Sequence, residues 1–111
     1  MKNINLIQGD TMATAMEYDV LREIVSDIDG IFFRVVEYDD NFECTNEEAK
    51  KDNEIVRRIC RNILNNVEYQ YIDYENVKNE LVRIRDKYKD RPYSKKFAER
   101  TAKADKELGR G

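Results

Sequence analysis

The stretch GIFFRVVEYDDNFE, residues 30–43, starts as a dense apolar run and dissolves into acid. β-Branched and aromatic side chains dominate Ile31 to Tyr38, the composition of a strand. Alternation puts Ile31, Phe33 and Val35 on one face and Phe32, Val36 and Tyr38 on the other, with Arg34 between them. Both faces are apolar, and a strand of that kind is usually covered on both sides. Gly30 stands where glycine ends a helix. These signals predict a strand over 31–38 and raise the question of what it pairs with.

Upstream, Asn3 to Gln8 alternates weakly and Gly9 follows, which predicts a short strand over 3–8. Asp10 or Thr11 then caps a helix over 11–28. Its stripe is Met12, Ala13, Met16, Val20, Leu21, Ile24, Val25 and Ile28, at three- and four-residue spacing. The two strands would pair in parallel through a right-handed crossover.

Downstream, Thr45-Asn46-Glu47-Glu48 fits a capping box, with Thr45 as cap and Glu48 three residues on. A second helix runs from there to about Val67. Glu68 to Ile72 is a connector or a third strand. Asp73 caps a third helix over 74–89, whose seam is Tyr74, Val77, Leu81, Ile84 and Tyr88. The seam is too short for a coiled coil and predicts a hairpin with the second helix. Arg91-Pro92 breaks the pattern, and a basic fourth helix spans 93–108, stopped by Gly109. The expected fold is α+β and mainly helical: about four helices and a small sheet of two short strands, with 68–72 as a third candidate, in the order β-α-β-α-α-α. One domain spans 1–111, with 1–90 as its core and 91–111 as a peripheral basic helix.

Charged residues make up 39% of the chain, against ~25% in an average domain. Residues 1–77 hold 8 Lys and Arg against 17 Asp and Glu, a net −9, while residues 78–111 hold 12 against 6, a net +6. A distribution this polar bears on partners and association rates, not on fold. The start of the chain shows no apolar core of a signal peptide, and no apolar run reaches the ~18 residues of a membrane span. Cys44 and Cys60 lack framework spacing and are expected as free thiols in a cytoplasmic protein.

Histidine is absent, which removes the commonest general base and every Ser–His or Cys–His dyad. Ser26 and Ser94 sit in no nucleophile turn, and no glycine-rich phosphate loop exists. No catalytic residue, cofactor or metal site is therefore expected. Asp39 or Asp40 followed by Glu48-Ala49-Lys50 resembles the Asp…Glu-x-Lys arrangement of the restriction-type nucleases. In that family carboxylates hold a divalent metal and the lysine steadies the phosphate, with the Glu-x-Lys segment on a strand. Here the segment opens a helix, and the reading preferred is a helix start. Oxygen-bearing residues alternate at Asp39, Asn41, Glu43, Thr45 and Glu47, yet the sixth and twelfth positions of an EF-hand loop would be Cys44 and Lys50. Glycine and glutamate are needed there, so an EF-hand is excluded.

The strongest partner signal is acidic, with eight carboxylates within 18 residues. Glu37, Asp39, Asp40, Glu43, Glu47 and Glu48 form a candidate surface for another protein with a basic face, since complementary charge speeds association. Tyr38, Tyr69, Tyr71 and Tyr74 are candidate aromatic anchors. The function expected is that of a non-enzymatic inhibitor or adaptor. In size, acidity and lack of catalytic residues the chain resembles phage-encoded inhibitors of host defence. That resemblance implies a nucleic-acid-handling defence enzyme as target and the host cytoplasm as location. A homodimer would form through the strand edge or the helix seam. The alternative is a small nucleic-acid-binding accessory protein that uses Lys95, Lys96, Arg100, Lys103 and Lys106 on phosphates. No membrane contact is expected.

Overall fold

The strand predicted over 31–38 does not form. The first helix, α1 (Ala15–Val35), runs straight through Gly30 and takes up Ile31 to Val35 as its last turns. Leu21, Ile24, Val25, Ile28, Ile31 and Phe32 are all buried along it. Their spacing continues the helical stripe across the glycine. A helix closes its backbone hydrogen bonds within itself, whereas a strand apolar on both faces needs neighbours. Gly30 costs that helix only ~1 kcal/mol relative to alanine. Among the described glycines only Gly109 has a positive φ, so Gly30 is not a left-handed stop.

This computed structural model describes residues 12–41 and 43–109. The predicted strand over 3–8 lies outside them. Among the described residues there is no strand or sheet, only two isolated antiparallel bridges, Met12 with Tyr71 and Tyr38 with Cys44. The candidate third strand over 68–72 contributes just the first of these, beside a 3.0 Å bond from the Ala13 amide to the Gln70 carbonyl. The α+β expectation is thus corrected to a helical fold: α1, α2 (Glu47–Ile59), α3 (Tyr74–Tyr88) and α4 (Lys95–Glu107).

Local chemistry sets the helix ends. Thr14 caps α1 in a reciprocal capping box. Its hydroxyl accepts from the Glu17 amide at 3.2 Å, and Glu17 accepts from the Thr14 amide at 2.8 Å. The caps predicted at Asp10 or Thr11 and at Thr45 are displaced. Asn46 caps α2, accepting from the Ala49 amide at 3.0 Å, and this frees Glu48 for other work. After α2 the chain makes one π-helical turn, Cys60–Leu64, closed by a 2.8 Å bond from the Asn65 amide to the Cys60 carbonyl. The second helix therefore ends short of Val67, which is exposed. Asp73 caps α3 and Ser94 caps α4.

α3 packs chiefly against α1 rather than forming the expected hairpin with α2. Val77, Leu81, Ile84 and Tyr88 are fully buried, and the Tyr88 ring meets Phe32 edge-on at 4.8 Å. Most of the heptad seam is buried inside the chain, and among the described residues there is no strand edge. α4 leans on α1 and has no buried residue of its own. Cys44 and Cys60 are free. Among the described residues no helix is long and apolar enough to cross a membrane.

A candidate protein-binding cleft

Where α1 ends, the chain turns through a tight acidic loop. The Asp39 amide donates to the Glu43 carbonyl at 2.9 Å and the Thr45 amide to the Glu37 carbonyl at 3.2 Å. The Asp39 carboxylate accepts from the amides of Asn41 and Glu43, at 2.8 and 3.0 Å. Such side-chain-to-backbone bonding is what aspartate does in turns. It closes the loop on itself.

A cleft of about 600 Å³ opens between this loop, α1, α2 and α4. Phe32, Phe33, Val36 and Phe97 give it apolar walls. Phe33 is 57% exposed and Tyr93 56% exposed, although both rings lie edge-on to Phe97, at 5.6 and 4.9 Å. Asp29, Asp39 and Asp40 line it together with Arg57, Lys96 and Arg100. Arg57 pairs with Asp29, yet its Nε is buried with no hydrogen-bond acceptor among the described residues. The Arg100 guanidinium lies 5.6 Å from the centre of the Phe33 ring. Tyr38 lines the same cleft, and burial, followed by the nearby Cys44 and Asp29, pushes its hydroxyl pKa up.

The predicted acidic surface divides in three. Glu37, Asp39 and Asp40 belong to the cleft region, but Glu37 already accepts from the Lys95 amide at 2.6 Å, at the start of α4. A carboxylate there also suits the helix dipole. Lys96 Nζ reaches the Tyr38 carbonyl at 3.0 Å and Asp40 at 3.5 Å. Glu48 turns away to α3. Its carboxyl is held below the usual range first by the hydrogen bond from Arg91, at 3.1 Å, then by Lys87, at 3.4 Å. Glu43 and Glu47 remain exposed. The acid-rich and base-rich parts of the sequence thus meet within one molecule.

The other candidates scatter. Tyr69 and Tyr71 are half-exposed at the far end of α1, where Tyr69 stacks on the buried Tyr18 at 5.0 Å. Tyr74 packs against the core. Lys96 and Arg100 line the cleft, while Lys95, Lys103 and Lys106 face solvent. Among the described residues no three His, Cys, Asp or Glu side chains gather as metal ligands. Neither Asp39, Asp40 and Glu48 nor the alternating oxygens of the loop form such a group. Asp29, Phe32, Phe33, Arg57, Tyr93 and Phe97 were not singled out from sequence. Tyr93 and Phe97, four residues apart, were the readable trace. Phe33 becomes conspicuous only once α1 is known to be a helix there, because it then falls off the apolar stripe.

Comparison with protein-family models, with curated proteins and with solved structures finds no match to this chain.

Proposed function

We propose that the chain is a non-enzymatic protein-binding module, an inhibitor or adaptor, and that the cleft at the end of α1 is its binding surface. One observation carries this reading: the half-exposed Phe33 ring at the end of α1 shares a cleft with the loop carboxylates of Asp39 and Asp40. Exposed aromatic rings in a depression are what protein partners use as anchors. The size lies within the ~300–1,000 Å³ of small-ligand and side-chain pockets. The partner fits the cleft with an apolar side chain on Phe33 and a cation beside Asp39 and Asp40. The acidic surface of the sequence is narrowed to this wall, because Glu48 is committed to α3.

Affinity capture from the native host with tagged chain tests the proposal, with light scattering on the purified protein. A specific protein should be retained by the native sequence and lost with Phe33→Glu or Asp40→Lys. It should survive Met16→Asp at the opposite end of α1. Identical captures by all four proteins would remove the cleft from the reading.

A second reading has one observation in its favour. The half-exposed ring of Phe33 stands near Arg100, and single-stranded nucleic acid binds by stacking bases on such rings beside cations. Retention on single-stranded DNA that falls steeply with salt would support it. No retention at low salt would dismiss it.

A further inference from the structure

We infer that the partner offers a basic amphipathic helix carrying an aromatic residue, and that this helix takes the place of α4; the inference rests on the protein-binding reading above. α4 is 13 residues long and buries none of them. A free helix of that length is marginal in water, so its attachment to the rest of the chain decides its state. Its attachments include contacts to Glu37, Asp40 and Phe33. The Lys95 amide meets Glu37 at 2.6 Å, Lys96 Nζ meets the Tyr38 carbonyl at 3.0 Å and Asp40 at 3.5 Å, and Phe97 meets Phe33 at 5.6 Å between ring centres. These contacts, with the Arg100 guanidinium 5.6 Å from the Phe33 ring centre, reach the acidic loop or the exposed ring of α1. α4 is therefore a basic helix with one aromatic residue, already seated on an acidic and aromatic surface. It shows the kind of ligand that surface accepts.

Charge agrees. With α4 lifted away, the surface keeps Phe32, Phe33 and Val36, the carboxylates of Asp29, Glu37, Asp39 and Asp40, and one guanidinium, Arg57. Four acids against one base call for a cationic occupant. α4 is a diluted version of that occupant, because Glu99, Asp105 and Glu107 interrupt its basic run. A partner helix with more cations and a larger apolar face is better matched. The hinge is in place as well. Ser94 is buried and its amide donates to the Arg34 carbonyl at 2.8 Å, while Pro92 stands just before it. This anchor holds the start of α4 while the helix beyond it lifts. Tethering gives α4 an effective concentration on the order of millimolar. A free helix of equal quality at micromolar concentration is excluded until α4 is loosened or outcompeted.

The test is fluorescence anisotropy with a labelled synthetic peptide of residues 94–109, titrated with the full-length protein. Phe97→Ala or Lys96→Glu in the protein should tighten peptide binding at least tenfold over the native chain, with helical circular dichroism retained. Adding Asp40→Lys or Phe33→Ser to Phe97→Ala should abolish the gain, and salt should weaken binding. Equal affinity for the native and loosened proteins, no binding to either, or indifference to Asp40→Lys overturns the inference. So does a loosened protein that dimerises by light scattering, because the occupant is then α4 of a second copy. Host capture lost with Phe33→Glu alongside a failed peptide assay removes only the helix identity. Host capture indifferent to Phe33→Glu removes the cleft itself.

Discussion

The Tyr88 hydroxyl, at the end of α3, donates a 2.7 Å hydrogen bond to Asp52 in the middle of α2. Lys87 Nζ reaches the same carboxylate oxygen at 2.9 Å, and Arg83 approaches the other at 3.6 Å. Asp52 is 6% exposed, one of the few buried polar residues among those described. Burial on its own would raise its pKa, but the hydrogen bonds from Lys87 and Tyr88, with the charges of Lys87 and Arg83, outweigh that and hold it below the usual value. Burial, and then the bond to Asp52, pushes the Tyr88 hydroxyl up. This network clamps α2 to α3, which otherwise packs on α1.

Breaking the clamp from its two ends should cost unequal amounts. Asp52→Ala takes the main acceptor from a buried hydroxyl and from Lys87 and leaves both only the longer contact to Glu48, at about 2 kcal/mol. Tyr88→Phe removes one hydrogen bond and leaves Asp52 paired with Lys87, at about 1 kcal/mol. Urea denaturation midpoints at neutral pH measure both. Equal losses would mean that Asp52 contributes nothing beyond its bond to Tyr88.

The same carboxylate sets an acid limit. Its folded pKa is depressed, so its stabilising contribution is fully present above the unfolded value of about 3.9. It is lost as pH falls through the lower folded value. The thermal midpoint should be level from about pH 8 to pH 5 and fall below about pH 4. Asp52→Asn should be less stable at neutral pH and show a shallower acid decline. An unchanged acid slope in that variant would show that other carboxylates carry the effect.

Gly30 separates the helix from the strand reading in a single substitution. In a helix interior, alanine is favoured over glycine by about 0.5–1 kcal/mol. A Cβ built there meets only the far end of the Arg34 side chain, at 3.3 Å, which can shift. Gly30→Ala should therefore raise stability. At a left-handed helix stop the same change would cost about 1 kcal/mol. A lowered denaturation midpoint would restore the break at Gly30.

Much of the helical layout was legible because helix chemistry is local. The Asp73 cap, the seam of α3 and the break before α4 all follow from residues within a few positions of one another. The 31–38 segment was not, since its composition satisfies two periods at once. Ile28, Ile31, Phe32 and Val35 continue a helical stripe as well as Ile31, Phe33 and Val35 alternate, and β-branched bulk tipped the balance the wrong way. The capping box was read at Thr45 while Thr14 and Glu17 carried the same signature. In the cleft, Tyr38, Asp39, Asp40, Lys96 and Arg100 were visible as charge and aromatic signals. Phe33, Phe97 and Arg57 were not, because their meeting depends on α4 leaning on α1. The opposite charge of the two parts of the chain hinted that they attract. It did not show that Lys96, 56 residues from Asp40, would sit on the acidic loop.

The neighbours Phe32 and Phe33 carry the sharpest test of both fold and site. Phe32 is 3% exposed against Tyr88 and the core, so Phe32→Ala should cost about 3–5 kcal/mol through lost burial and a cavity. Phe33 points into the cleft and is more than half exposed, so Phe33→Ser should cost less than about 1 kcal/mol. On a strand with two covered faces both rings would be core, and the two losses would be alike. Denaturation midpoints read that difference, and partner capture reads the reverse. Phe33→Ser should abolish capture while the fold persists. If Phe33→Ser unfolds the protein as Phe32→Ala does, its ring belongs to the core and the cleft loses its anchor.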